Sequence, residues 1–128
     1  MTTTINPHKG RTGLDRLLRA TGYSIEGLKI AFYGESAFRQ ESLLAMVLLP
    51  AAFLLGGSWI EVAILAGSVL LVLIVELLNS GIEAAIDRVS LDLHDLSKRA
   101  KDLASAAVFL SLLLCAGVWV TALLHRFA

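Results

Sequence analysis

The sequence predicts an all-α, polytopic membrane protein with three transmembrane helices, preceded by an amphipathic helix lying along the membrane interface. Three observations lead there. Of 128 residues, 56% are apolar and 17% charged, with a mean hydropathy of +0.73, which is too greasy for a water-soluble domain of this size. Three apolar runs are long enough to cross a hydrocarbon core of about 30 Å at about 1.5 Å per helical residue. The basic residues are gathered almost entirely on one side of those runs, as membrane topology demands.

Residues 12–37 mix Leu14, Leu17, Leu18, Ile25, Leu28, Ile30 and Phe32 with Asp15, Arg16, Arg19, Glu26 and Lys29, the pattern of a helix half in lipid and half in water. Gly22 is expected to break this stretch into two. Between Glu41 and Glu61 there is no ionisable residue, which sets span one at about 42–58. Pro50 lies inside it and is tolerable where a kink or a neighbouring helix satisfies the freed carbonyl. Gly56, Gly57 and Ser58 make a short turn, and Trp59 suits headgroup depth. Span two, about 62–82, is interrupted only by Glu76, Asn79 and Ser80, and span three, about 103–124, has no charge. The whole chain, 1–128, reads as one membrane domain. Ten of the eleven Lys and Arg residues precede span one or lie between spans two and three, from Lys9 and Arg11 through Lys101, and only Arg126 lies beyond. The N-terminus is therefore expected in the cytoplasm and the C-terminus outside. An odd number of spans leaves a helix without a partner, so oligomerisation is expected.

Several function classes fall away. A formal net charge of zero argues against nucleic-acid binding, which needs a basic face. The single Cys115 excludes a disulfide framework within one chain. Residues 1–9 carry no apolar signal-peptide segment, so the first span is expected to direct insertion itself. There is no GxxxxGK[ST] loop and no kinase glycine-rich loop with its partner motifs, so any nucleotide site must be built in another way.

The most informative residue is Glu76. A carboxylate this far inside an apolar span costs on the order of 2.5 to 3.5 kcal/mol on insertion scales, and such groups mark functional sites. Glu76, Asn79, Ser80, Glu83 and Asp87 fall within a stripe roughly 100° wide on one helix face. That face does not meet lipid. It is either a reaction site or an interhelical hydrogen-bond seam. Glu35 and Glu41 stand just before span one, at the depth expected for Glu83. Carboxylates from different helices at one level suit Mg²⁺, which takes oxygen ligands, while a solvated charge run is the plainer reading of Glu41. In the connector, Lys101 could meet nucleotide phosphates and Asp92 or Asp102 could accept from ribose or adenine, although the same cations would serve topology alone.

The blocks ATGYS at 20–24, ESAFRQE at 35–41, ELLNSGIEAAIDR at 76–88 and SKRAKDLASAA at 97–107 resemble, in order and spacing, those of the bacterial integral-membrane diacylglycerol kinases. The likeness runs through nearly all of the chain after the first dozen residues. It implies a homotrimer of the inner membrane with active sites between subunits, moving the γ-phosphate of MgATP to the primary hydroxyl of diacylglycerol. By the same resemblance Glu76 is the general base, Asn79 supports it, and Glu35 and Glu83 are the Mg²⁺ ligands. Nucleotide contacts are implied for Arg16, Tyr23, Glu35, Glu83, Asp92, His94, Lys101 and Asp102. The lipid is implied to lie near Ala20, Gly22, Tyr23, Ser24, Phe38, Arg39, Gln40, Glu41, Glu76, Ser105 and Trp119. Departures at Gly34, Gly81, Asp92, Leu93, Lys98 and Ala104 remove no implied catalytic group. Undecaprenol kinase is the related alternative, and a proton-coupled transport component or a structural subunit would use Glu76 without ATP.

Overall fold

The computed structural model describes residues 12–92 and 94–128, so the expectation drawn from residues 1–9, the topology cations Lys9 and Arg11, and the departure at Leu93 lie outside the described residues. Four helices follow one another: α1 (Gly13–Gly34), α2 (Ser36–Leu55), α3 (Trp59–Val89) and α4 (Asp95–Phe127). The last three are each long and apolar enough to cross a membrane.

α1 begins at Gly13, whose positive φ of 67° is the left-handed region that favours glycine. An Asp15–Arg19 pair at 3.3 Å follows in the first turns. The expected break at Gly22 does not occur, and α1 runs through it without interruption. One interior glycine costs about 1 kcal/mol relative to alanine, too little to stop a helix whose neighbours favour it. The helix stops at Glu35, a single extended residue (φ −117°, ψ 112°) that is also the N-cap of α2. Arg39 fastens this corner: its Nη1 donates to the carbonyls of Phe32 (3.2 Å) and Tyr33 (3.3 Å), which the end of α1 leaves without helical donors.

α2 continues unbroken through Pro50 to Leu55. The return to α3 is made by Gly56, Gly57 and Ser58. The Ser58 hydroxyl accepts from Glu61 N–H at 3.2 Å while the Glu61 carboxylate accepts from Gly57 N–H at 3.1 Å, a reciprocal cap of the Ser-x-x-Glu kind. Gly56 is forced by close approach. A Cβ there would run into the Val62 side chain and come within 2.9 Å of the Ala52 carbonyl oxygen.

α3 is the central helix, packing along both α4 and α2, while α2 and α4 touch little. The core is Ala45, Ala52, Leu65, Val69 and Trp119, with Ala52 and Leu65 fully buried. Ala45 and Ala52, seven apart on α2, let the backbone of α3 come close, which is how helices associate where no hydrophobic effect drives them together. The Trp119 indole N–H donates across to the Leu65 carbonyl at 3.3 Å, and Ser68 Oγ, which donates to the same carbonyl at 2.8 Å, lies 3.6 Å from Cys115 Sγ. Large apolar side chains such as Met46, Leu54, Ile64, Leu78, Phe109 and Leu113 stay exposed on all three long helices. Such a surface belongs in lipid or against further subunits.

Candidate active site

The stripe on α3 emerges gradually from the core. Glu76 is only 6% exposed, Asn79, Ser80 and Glu83 are half-buried, and Asp87 is exposed. It therefore runs outward to the end of the bundle where the α1–α2 corner and the α3–α4 connection lie. Glu41 comes from the second turn of α2 to within electrostatic reach of Glu76, and the charges of Glu83 and Glu35 bear on Glu76 as well. Lys101, on the second turn of α4, donates to Asp87 Oδ1 at 2.7 Å and lies in the field of Glu83.

Four carboxylates from three separate pieces of backbone thus gather toward one end of the bundle, spread over about two turns of α3 and within reach of Glu76's charge, with the Lys101 ammonium at their rim. Like charges in a low-dielectric setting need a proton or a cation among them. Glu41 Oε2 and Asn79 Oδ1 are buried and, among the described residues, have no hydrogen-bond partner. A buried acceptor left unpaired costs about 1–3 kcal/mol, so both atoms are set to receive a donor such as a hydroxyl. Among the described residues no three His, Cys, Asp or Glu side chains form a closed metal cage. The carboxylate cluster still fits a hard divalent cation of the Mg²⁺ kind, which is commonly held by one or two carboxylates with phosphate oxygens and water completing the shell.

The remaining residues singled out from the sequence fall into three places. Phe38 is buried between α1 and α2 and, with Ile25, Leu28, Phe32, Ser42 and Leu73, lines an apolar groove of about 380 Å³ one helical turn from Glu76. Arg39 is engaged with the α1 carbonyls, and Gln40 is exposed beside it. Asp102, Ser105, Asp92 and His94 are exposed at the α4 end; Asp102 pairs with Lys98 at 2.5 Å, Asp92 N–H donates to Ser90 Oγ, and His94 Nδ1 caps α4 by accepting from Leu96 N–H at 3.0 Å. Arg16, Ala20, Gly22, Tyr23 and Ser24 lie on the exposed part of α1, and Ser24 Oγ donates to the Ala20 carbonyl. Among the described residues α1 touches α2 and α3 but not α4. Within one chain, α1, which carries Arg16 and Tyr23, does not pack on α4, which carries Lys101 and Asp102. Trp119 is the outlier, since its partner Leu65 is eleven residues, roughly 16 Å, along α3 from Glu76.

Two contacts were not foreseen from the sequence. The Asp87–Lys101 pair joins residues fourteen apart on different helices, and the stripe that holds Asp87 says nothing of Lys101. The hook made by Arg39 had no sequence signal, because a cation before a span reads first as a topology residue.

Three helices long and apolar enough to cross a membrane, with carboxylates gathered toward one end and a lysine beside them, have the make-up of an integral-membrane protein. The family model described as prokaryotic diacylglycerol kinase matches residues 22–123. The chain belongs to that family. It is 57% identical to the diacylglycerol kinase of Pseudomonas aeruginosa over 119 residues, covering 93% of this chain and 97% of that one. The Haemophilus influenzae diacylglycerol kinase is 49% identical over 84% of this chain and 92% of its own length, and that of Escherichia coli K12 is 42% identical over 91% and 95%.

Proposed function

We propose that the chain is an ATP-dependent diacylglycerol kinase of the bacterial inner membrane, transferring the γ-phosphate of MgATP to the primary hydroxyl of diacylglycerol to give phosphatidic acid. The observation that carries it is the burial of Glu76 within a cluster of carboxylates at the polar end of a membrane bundle, with Lys101 at its rim. The names of the relatives favour diacylglycerol over undecaprenol as the acceptor.

In this reading Glu76 accepts the hydroxyl proton as the alcohol oxygen attacks the γ-phosphorus, and Asn79, one turn on, supports that carboxylate. Phosphoryl transfer asks chiefly for alignment and charge neutralisation. Glu35 and Glu83 would hold Mg²⁺, which when bound neutralises charge on the β- and γ-oxygens. Lys101 meets the phosphates, and Arg16, Tyr23, Asp92, His94 and Asp102 frame the rest of the nucleotide. With Nδ1 of His94 committed to the α4 cap, Nε2 is the atom left for ATP. The glycerol end lies among Ala20, Gly22, Tyr23, Ser24, Arg39, Gln40, Glu41 and Ser105. An acyl chain takes the groove beside Phe38, and Trp119, sunk in the core, is met only at acyl-chain depth.

The amphipathic α1 lies along the cytoplasmic interface, with the N-terminus inside and the C-terminus outside. The chain works as a homotrimer. The separation of α1 from α4 within one chain supports sites completed between subunits. The test is direct: the purified chain in detergent, given radiolabelled MgATP with dioleoylglycerol or undecaprenol, is expected to label the glyceride to phosphatidic acid. Labelling of undecaprenol alone, or of neither, refutes the assignment.

A further inference from the structure

Asp87 ends the polar stripe of α3 and has no role in the reaction described above. Its carboxylate reaches across to α4 and accepts from Lys101 Nζ at 2.7 Å. This is a tertiary contact, unlike the other three described ion pairs, which each join residues three or four apart on one helix.

From this contact we propose that Asp87 is a positioning residue for phosphoryl transfer, holding the Lys101 ammonium at the mouth between α3 and α4 where it meets the nucleotide phosphates. The proposal rests on the kinase reading of the site. Lysine is a point charge on a long flexible stem, and ordering that stem opposes binding unless something orders it first. Asp87 supplies that order at little cost to access. The side chains of Lys101 and Asp87 are 41% and 46% exposed, and an ammonium with three N–H groups keeps two for phosphate oxygens after one is given to Asp87. The neighbouring acid does not compete, because Asp102 is paired with Lys98. An exposed pair of this kind contributes little to folding, so a role in stability alone does not account for it.

The test compares wild type, Asp87→Asn, Asp87→Glu, Lys101→Met and the Asp87→Asn/Lys101→Met double variant, as full chains in detergent with MgATP and dioleoylglycerol. Asp87→Asn is expected to raise KM for MgATP roughly five- to twenty-fold, the loss of one ordered lysine stem, and to leave KM for dioleoylglycerol unchanged. Asp87→Glu, which keeps the charge one methylene further out, is expected to limit the rise to about two- to threefold. The double variant is expected to be no worse than Lys101→Met. A KM for MgATP that is unchanged or lower in Asp87→Asn overturns the proposal, as does equal damage to both substrates that Asp87→Glu does not relieve. Should Asp87→Asn fail to assemble, Asp87→Glu decides by itself: a shifted MgATP requirement at the wild-type melting temperature supports the proposal, and no shift overturns it. A wild type that makes no phosphatidic acid brings down the kinase reading and this proposal together, whereas an active wild type with an unmoved Asp87→Asn brings down only the latter.

Discussion

Glu76 combines two conditions that rarely meet: a position deep in an apolar helix and three other carboxylates within reach of its charge. If it takes the hydroxyl proton, Glu76→Gln keeps shape and hydrogen bonding but removes the base. Turnover is then expected to fall by roughly 10² to 10⁴-fold, with assembly and MgATP binding retained, as measured by phosphatidic acid formation beside nucleotide binding. Glu35 and Glu83 act on the same cluster from other pieces of backbone, and their expected signature differs. Glu35→Ala and Glu83→Ala are each expected to move the Mg²⁺ titration of activity to higher concentration, by about tenfold for each 1.4 kcal/mol of lost ion binding. A titration that does not move removes both from the metal site.

At the scale of the helices, much could be read directly from residues, because lipid imposes simple rules. Apolar stretches of spanning length announced α2, α3 and α4, and the glycine pair before Ser58 announced the turn between α2 and α3. Local signals failed where tertiary contacts took over. Gly22 did not stop α1, since helix propensity is a weak force against an otherwise favourable run. The bond from the Trp119 indole N–H to the Leu65 carbonyl is a tertiary contact that neither residue advertises in sequence. The Asp87–Lys101 pair was invisible for the same reason. The turn offers its own test. Gly56→Ala forces a methyl group against Val62 and the Ala52 carbonyl, and is expected to destabilise the α2–α3 hairpin by about 1 to 3 kcal/mol. Thermal inactivation in detergent should shift accordingly, while KM for MgATP, read far from the turn, should not.

At the scale of the whole molecule, one chain leaves much of its apolar surface uncovered. Its long helices keep large apolar side chains outward, and its α1 residues are not brought to α4. If sites form between subunits, two separately disabled variants should repair each other. Co-assembled Arg16→Ala and Glu76→Gln chains are expected to recover phosphatidic acid synthesis that neither has alone, and a mixture no better than its parts would count against shared sites. The joint at Glu35 matters most for such sharing. α1 has 22 residues, about 33 Å of helix, so a rotation of about ten degrees at that joint displaces the far tip by about 6 Å. The carboxylate expected to grip the metal therefore sits at the fulcrum of a lever. In the proposed trimer, ion binding by Glu35 and the reach of Arg16 toward a neighbouring subunit would both follow the same two backbone angles, next to the corner that the Arg39 guanidinium ties to α1.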